Sequence, residues 1–149
     1  MAATHAATFN GSVTIDVTDD FRPLKEQIRF SLAKLDGVNQ VSYLLFERLP
    51  SAAGEDPDDA EEFLQSAGTA EAMTIEIRRL DGDGEYRLYA VGRAEDADVD
   101  AVEVEWDGNR QTVPANEVFA ADEAAGIYWY YYQHHAIPPE YTTRQFDLN

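Results

Sequence analysis

Met73-Thr74-Ile75-Glu76-Ile77-Arg78-Arg79-Leu80-Asp81-Gly82-Asp83-Gly84-Glu85-Tyr86-Arg87-Leu88-Tyr89-Ala90 is the stretch that decides the fold of this 149-residue chain. Met73, Ile75 and Ile77 alternate with Thr74, Glu76 and Arg78; after the turn, Tyr86, Leu88 and Ala90 alternate with Arg87 and Tyr89. Successive strand side chains point to opposite faces, so each run reads as a strand with one apolar face. The Asp-Gly pairs between them supply the backbone freedom of a tight turn, and the segment predicts a β-hairpin. Asp81 to Glu85 also suggests a calcium loop, but EF-hand spacing asks for glycine at the sixth position and glutamate at the twelfth. Tyr86 and Gly92 stand there, so the hairpin turn is the better reading.

Toward the C-terminus, Val102 to Trp106, the turn Asp107-Gly108-Asn109, and Arg110 to Val113 predict a second hairpin. The acidic loop Ala94–Asp100 lies between the two. Pro114 to His135 reads as the longest helix, with Val118, Ala121, Ala125, Tyr128 or Trp129, and Tyr132 on one face. Pro138 and Pro139 end it, and Tyr141 to Leu148 suits a last extended segment.

Toward the N-terminus, residues 1–7 read as a frayed, disordered start, and Thr8 to Val17 as one strand carrying Phe9, Val13, Ile15 and Val17. Asp19 and Asp20 supply a cap for a helix on which Phe21, Leu24, Ile28, Leu32 and Leu35 recur at helical spacing, ended by Asp36-Gly37. The dense apolar run within Gln40 to Leu49 suits a buried strand. Pro50 to Asp58 is a loop; Asp58 with Glu61 resembles a capping box, which predicts a short helix running to Ala67 and stopped by Gly68. The order β-α-β-α-β-β-β-β-α-(β) implies an α+β class: a mainly antiparallel sheet with two or three helices packed on one face. No internal repeat or boundary divides the chain, so residues 1–149 read as one acidic domain.

Charge narrows function. Twenty-nine acids against eleven bases give a formal charge of −18, which repels nucleic acid and anionic membranes and attracts a basic partner. There is no cysteine, hence no disulfide or thiolate metal site, and no run approaches a membrane span. Met1 to Phe9 lacks the pattern of a signal peptide, so a cytoplasmic location is expected. No cofactor or metal is implied. His134 and His135 are adjacent, so they cannot form an i, i+4 zinc pair, and their place near a helix end suits capping. There is no Gly-x-Ser-x-Gly elbow, cysteine nucleophile or phosphate-cradling loop, which leaves abundant carboxylates as the sole enzymatic argument and makes an enzyme the least favoured class.

Two acidic clusters stand out. Residues 55–62 hold six acids, and residues 95–107 hold seven with no base among them. The second supplies the candidate partner-binding residues Glu95, Asp96, Asp98, Asp100, Glu103 and Glu105. Trp106 is read as an aromatic anchor on the same surface as Glu103 and Glu105. Tyr128-Trp129-Tyr130-Tyr131-Tyr132 cannot all face a core from one helix, and Tyr130 and Tyr131 are added to the candidate surface. The competing explanation of the acidity is environmental. Acids occur in both halves and only two lysines occur, Lys25 and Lys34, as in proteins of a high-salt cytoplasm.

Val113-Pro114-Ala115-Asn116-Glu117-Val118-Phe119, an alanine-rich aromatic helix ending in Tyr131-Tyr132, then Ile137-Pro138-Pro139 and Tyr141 resemble the tail of small immunity proteins of bacterial toxin systems. There a hairpin leads into a helix ending in a Gly-x-x-Pro-like turn; here His134-His135-Ala136 replaces the glycine turn. The resemblance covers about a quarter of the chain and carries over no binding residue. It implies a cytoplasmic protein that neutralises a cognate toxin. The leading expectation is therefore a non-enzymatic, immunity-type inhibitor that docks on a basic protein partner. The alternative is a halophile-adapted protein with an unrelated ligand-binding, assembly or housekeeping function.

Overall fold

The computed structural model describes residues 4–18, 22–47, 61–93 and 101–145. At its centre the predicted hairpin is β5 (Met73–Leu80) and β6 (Tyr86–Arg93), joined through Asp81 to Glu85. Around it a seven-stranded sheet is built from β1 (His5–Phe9), β2 (Val13–Val17), β3 (Ser42–Glu47), β4 (Phe63–Gly68) and β9 (Tyr141–Gln145). Its order is β2-β1-β3-β4-β5-β6-β9, and every neighbouring pair is antiparallel. The helices α1 (Leu24–Ala33) and α2 (Ala121–His134) lie together on one face, giving the expected α+β class. No helix among the described residues is long and apolar enough to cross a membrane.

Strand register explains which side chains meet the helices. Residues paired across strands share a face, so Ala7, Leu45, Leu64, Ile77 and Tyr89 form one row across five strands. Phe9, Tyr43, Ser66 and Ile75 form the next row. Against these rows α1 buries Ile28 and Leu32, and α2 buries Ala124, Ala125, Ile127, Tyr128 and Tyr131. One polar contact is set into this apolar layer: the Tyr128 hydroxyl bonds Ser66 Oγ at 2.8 Å and donates to the Tyr43 carbonyl at 3.3 Å.

Several segments depart from the sequence reading. Residues 61–67, read as the end of a helix, are in β4 from Phe63 onward; residues 58–60 lie outside the described residues. Pairing on both sides with β3 and β5 outweighs the local helix signal. Residues 5–7, read as frayed, are sheet: His5, Ala6 and Ala7 are buried in β1. Thr8 to Val17 is not one strand but the hairpin β1–β2, because Asn10 and Gly11 both adopt positive φ and reverse the chain. The Asn10 side chain fixes that turn to the start of β3, accepting from the Val41 amide at 2.7 Å.

The last helix begins at Ala121 rather than Pro114. Ala115–Glu117 is a short 3-10 turn, and Phe119 then pairs with Met73 in both directions, at 2.9 and 2.8 Å, which pins the chain in extended form before the helix starts. Asp122 and Glu123 favour the first turn of α2 through the helix dipole. His135 ends α2 in a left-handed conformation with its amide donating to the Tyr131 carbonyl at 2.7 Å. The Asp19 and Asp20 cap and Phe21 lie outside the described residues; Pro23 occupies the N-cap of α1.

Candidate functional site

The second predicted hairpin, β7 (Ala101–Trp106) and β8 (Asn109–Pro114), turns through Asp107 and Gly108, both at positive φ. It does not join the large sheet; it lies across the face opposite the helices, near β4 and β5. Gly68 lets it approach closely, since a Cβ there would stand 2.9 Å from Val104 Cγ1. At its tip the Asp107 amide donates to the Gly37 carbonyl at 2.6 Å.

Alternation within the hairpin sorts its side chains. Val104 and Val113 point inward and are buried, and Trp106 and Gln111 share that side in half-buried positions. Glu103, Glu105, Arg110 and Thr112 point outward and are exposed. Glu105 pairs with Arg110 at 3.1 Å across the outer face, both side chains well solvated. Asp107 adds a third exposed carboxylate at the turn.

This corrects the sequence reading of the site. Trp106 cannot share a surface with Glu103 and Glu105, because odd and even positions of a strand face opposite ways. Tyr131 is 1% exposed and belongs to the core, not to a surface. Tyr130 is half-buried with its ring 4.2 Å from that of His134, and sits on α2 across the sheet from the hairpin. One flat partner surface therefore cannot engage the hairpin carboxylates and these tyrosines together. Glu95, Asp96, Asp98 and Asp100 lie outside the described residues.

Beneath the hairpin is a feature that the sequence reading missed. The row Thr8, Leu44, Gln65, Glu76, Ala90 and Arg144 runs across the far face of the sheet. Between its centre and the hairpin lies a cavity of about 250 Å³, lined by Ser42, Gln65, Thr74 and Glu76 of the sheet and by Trp106 and Gln111 of the hairpin. Gln65 Nε2 donates to Glu76 Oε1 at 2.7 Å. Burial pushes the Glu76 carboxyl above its usual value, and the Gln65 bond only partly offsets this. Trp106 Nε1 is buried with no hydrogen-bond partner among the described residues.

The described bases are distributed unevenly. Arg22, Lys25, Arg29 and Lys34 cluster in and around α1, where Arg22 and Lys34 both lie over the Phe30 ring, at 4.5 and 4.4 Å from its centre. Arg29 pairs with Asp122 at 2.6 Å, and most of the bases elsewhere are also drawn into local pairs. Arg87 holds Asp81 and Asp83, Arg78 holds Glu61, Arg93 holds Glu123, and Arg144 grips both oxygens of Glu117. His135 stands between Glu47 and Glu62, 3.7 and 3.3 Å away. The described part of the 55–62 cluster, Glu61 and Glu62, is thus spent on internal contacts.

Comparison of the chain with protein-family models, with curated proteins and with solved structures finds no match in any of the three.

Proposed function

We propose that the chain is a non-enzymatic acidic binding protein, an immunity-type inhibitor acting in the cytoplasm, whose hairpin face docks on a basic protein partner such as a toxin. The observation that carries this reading is the outer face of β7–β8. Glu103 and Glu105 stand exposed on a hairpin fixed from beneath by Val104 and at its tip by the Gly37 contact. Carboxylates held on a fixed backbone meet a cationic surface without first being ordered, which favours both encounter rate and selection of partner. The separation of charge adds to this. Four of the described bases gather in and around α1, on the helix side of the sheet, with Arg29 paired to Asp122, whereas the outer face of the hairpin sets one base, Arg110, against Glu103, Glu105 and Asp107, which favours a basic partner on the hairpin side. The same field repels nucleic acid.

Affinity capture from the host or a related strain tests the reading. At low salt the protein is expected to retain one strongly basic protein, released as salt approaches about 1 M, where screening shrinks to roughly 3 Å. Recovery of no basic protein, or salt-insensitive capture, counts against it.

One observation favours the environmental alternative: exposed acids such as Glu26, Glu71, Glu85, Asp122 and Glu140 are scattered over every side of the molecule. If acidity is a solvation device, the isolated protein unfolds as salt is withdrawn. An inhibitor working in ordinary cytoplasm stays folded in dilute buffer.

A further inference from the structure

We propose that the cavity between the large sheet and the β7–β8 hairpin binds a small organic cation of the guanidinium or amidinium type, with Glu76 as its counter-charge. The site is distinct from the hairpin's outer face and does not depend on a protein partner docking there. Three observations carry it.

The first is size. About 250 Å³ of cavity far exceeds the roughly 15 Å³ that a single water needs, so the space takes a ligand or several waters rather than being a packing defect.

The second is the uncompensated carboxylate. Glu76 is held by one neutral amide, Gln65 Nε2. Among the described residues no Lys, Arg or His lines the cavity. The cation of the same row, Arg144, lines a smaller adjoining pocket with Glu76 but is engaged by Glu117, to which it donates through Nε and Nη2 at 2.9 and 2.8 Å. A carboxylate partly withdrawn from water and held only by a neutral amide is costly, and an incoming cation offsets that cost.

The third is the chemistry of the remaining wall. Besides Glu76, the lining includes the hydroxyls of Ser42 and Thr74 and the carboxamides of Gln65 and Gln111, each with an oxygen able to accept a hydrogen bond. A guanidinium brings up to five N–H donors in a planar fork and stays charged, so it suits an acceptor-rich site better than an ammonium. The Trp106 indole supplies an aromatic wall that favours a delocalised cation. An anion is disfavoured both by Glu76 and by the net charge of −18.

The test uses the full-length protein and the indole N–H resonances of its two tryptophans, Trp106 and Trp129. Trp106→Phe assigns them. Two probes are titrated, agmatine and Nα-acetyl-arginine N-methylamide, with Nα-acetyl-citrulline N-methylamide as the uncharged control. Saturable shifts of the Trp106 resonance alone, at least about tenfold weaker binding of citrulline, and a comparable weakening in Glu76→Gln support the site. Preference for agmatine marks a free small cation as the natural occupant; preference for the arginine amide marks a side chain of a larger molecule. An unshifted Trp129 resonance in Glu76→Gln shows that the variant is folded. The proposal is overturned if neither probe saturates by about 20 mM (a Kd in the range of only ~2 kcal/mol of binding free energy). It is equally overturned if citrulline matches arginine, if Glu76→Gln binds unchanged, or if glucose saturates the same resonance more tightly.

Discussion

The Asp107 amide donates to the Gly37 carbonyl at 2.6 Å, and this bond ties the tip of the acidic hairpin to the segment that follows α1. Gly37 sits at φ +77°, and a Cβ there would stand 2.9 Å from the Glu105 carbonyl oxygen. Nearby, Asp36 Oδ1 accepts from the amides of Val38, Asn39 and Gln40 at 2.8 to 3.0 Å, which holds its carboxyl below the usual value and fixes the turn. Gly37→Ala is therefore expected to cost about 1–3 kcal/mol, through backbone strain together with the collision. Urea titration reads the loss, and faster exchange of the Asp107 amide locates it. A variant as stable as the parent would show that the hairpin tip is not held there.

Two buried tyrosine hydroxyls, one turn apart on α2, have opposite predicted responses to removal. Tyr128 bonds Ser66 and the Tyr43 carbonyl, so Tyr128→Phe leaves buried partners unsatisfied and should destabilise by about 1–3 kcal/mol. The Tyr131 hydroxyl is buried without a partner among the described residues, so Tyr131→Phe should be neutral or stabilising by up to about 1 kcal/mol. Chemical denaturation of both variants decides it; equal losses would contradict the packing described.

Glu76 sets a pH dependence. Burial raises its carboxyl in the folded protein, so the folded state binds that proton more tightly than the unfolded chain, whose value is near 4.5. Stability from this group is thus present in acid and is lost as pH rises through the folded value. Glu76→Gln should be more stable than the parent at neutral pH, with the advantage fading toward about pH 4. Denaturation midpoints across that range check the sign. A variant less stable than the parent at neutral pH would contradict it.

His5 acts in the other direction. It is 5% exposed, with its ring 4.2 Å from that of Tyr132, and burial holds its imidazole below 6.5 despite the nearby Glu47. The folded state then binds fewer protons than the unfolded chain, so this contribution is complete above about 6.5 and is lost as pH falls below it. His5→Asn should flatten the stability profile on that acidic side, at the cost of some packing. An unchanged slope between about pH 5 and 7 would show that His5 is not responsible.

The hairpins were legible because alternation and turn chemistry agree there. Met73 to Ala90 and Val102 to Val113 each pair an apolar period of two with an Asp-Gly turn, and both fold as read. Phe63 to Gly68 was misread because Ser66, at a position facing the helices, is polar where alternation calls for an apolar residue, and Gly68 resembles a helix stop. Its strand character comes from neighbours on both sides, while the competing cap signal at Asp58 and Glu61 is local. The Asn10-Gly11 turn was present in the sequence but was masked by apolar residues on either side of it. The cavity was out of reach. Glu76 alternates as a solvent-facing residue should, and nothing local reveals that the β7–β8 hairpin folds back over it. The inward side of Trp106, by contrast, followed from its even position in the strand.

Binding of the captured basic partner to the double variant Glu103→Lys/Glu105→Lys tests the docking role of the hairpin face most directly. Both positions are exposed and outward, so reversal leaves the core untouched. Affinity at low salt is expected to fall by about tenfold or more, mainly through slower association, and the difference should shrink as salt rises. Unchanged affinity and association rate in a folded double variant would contradict a docking role for this face.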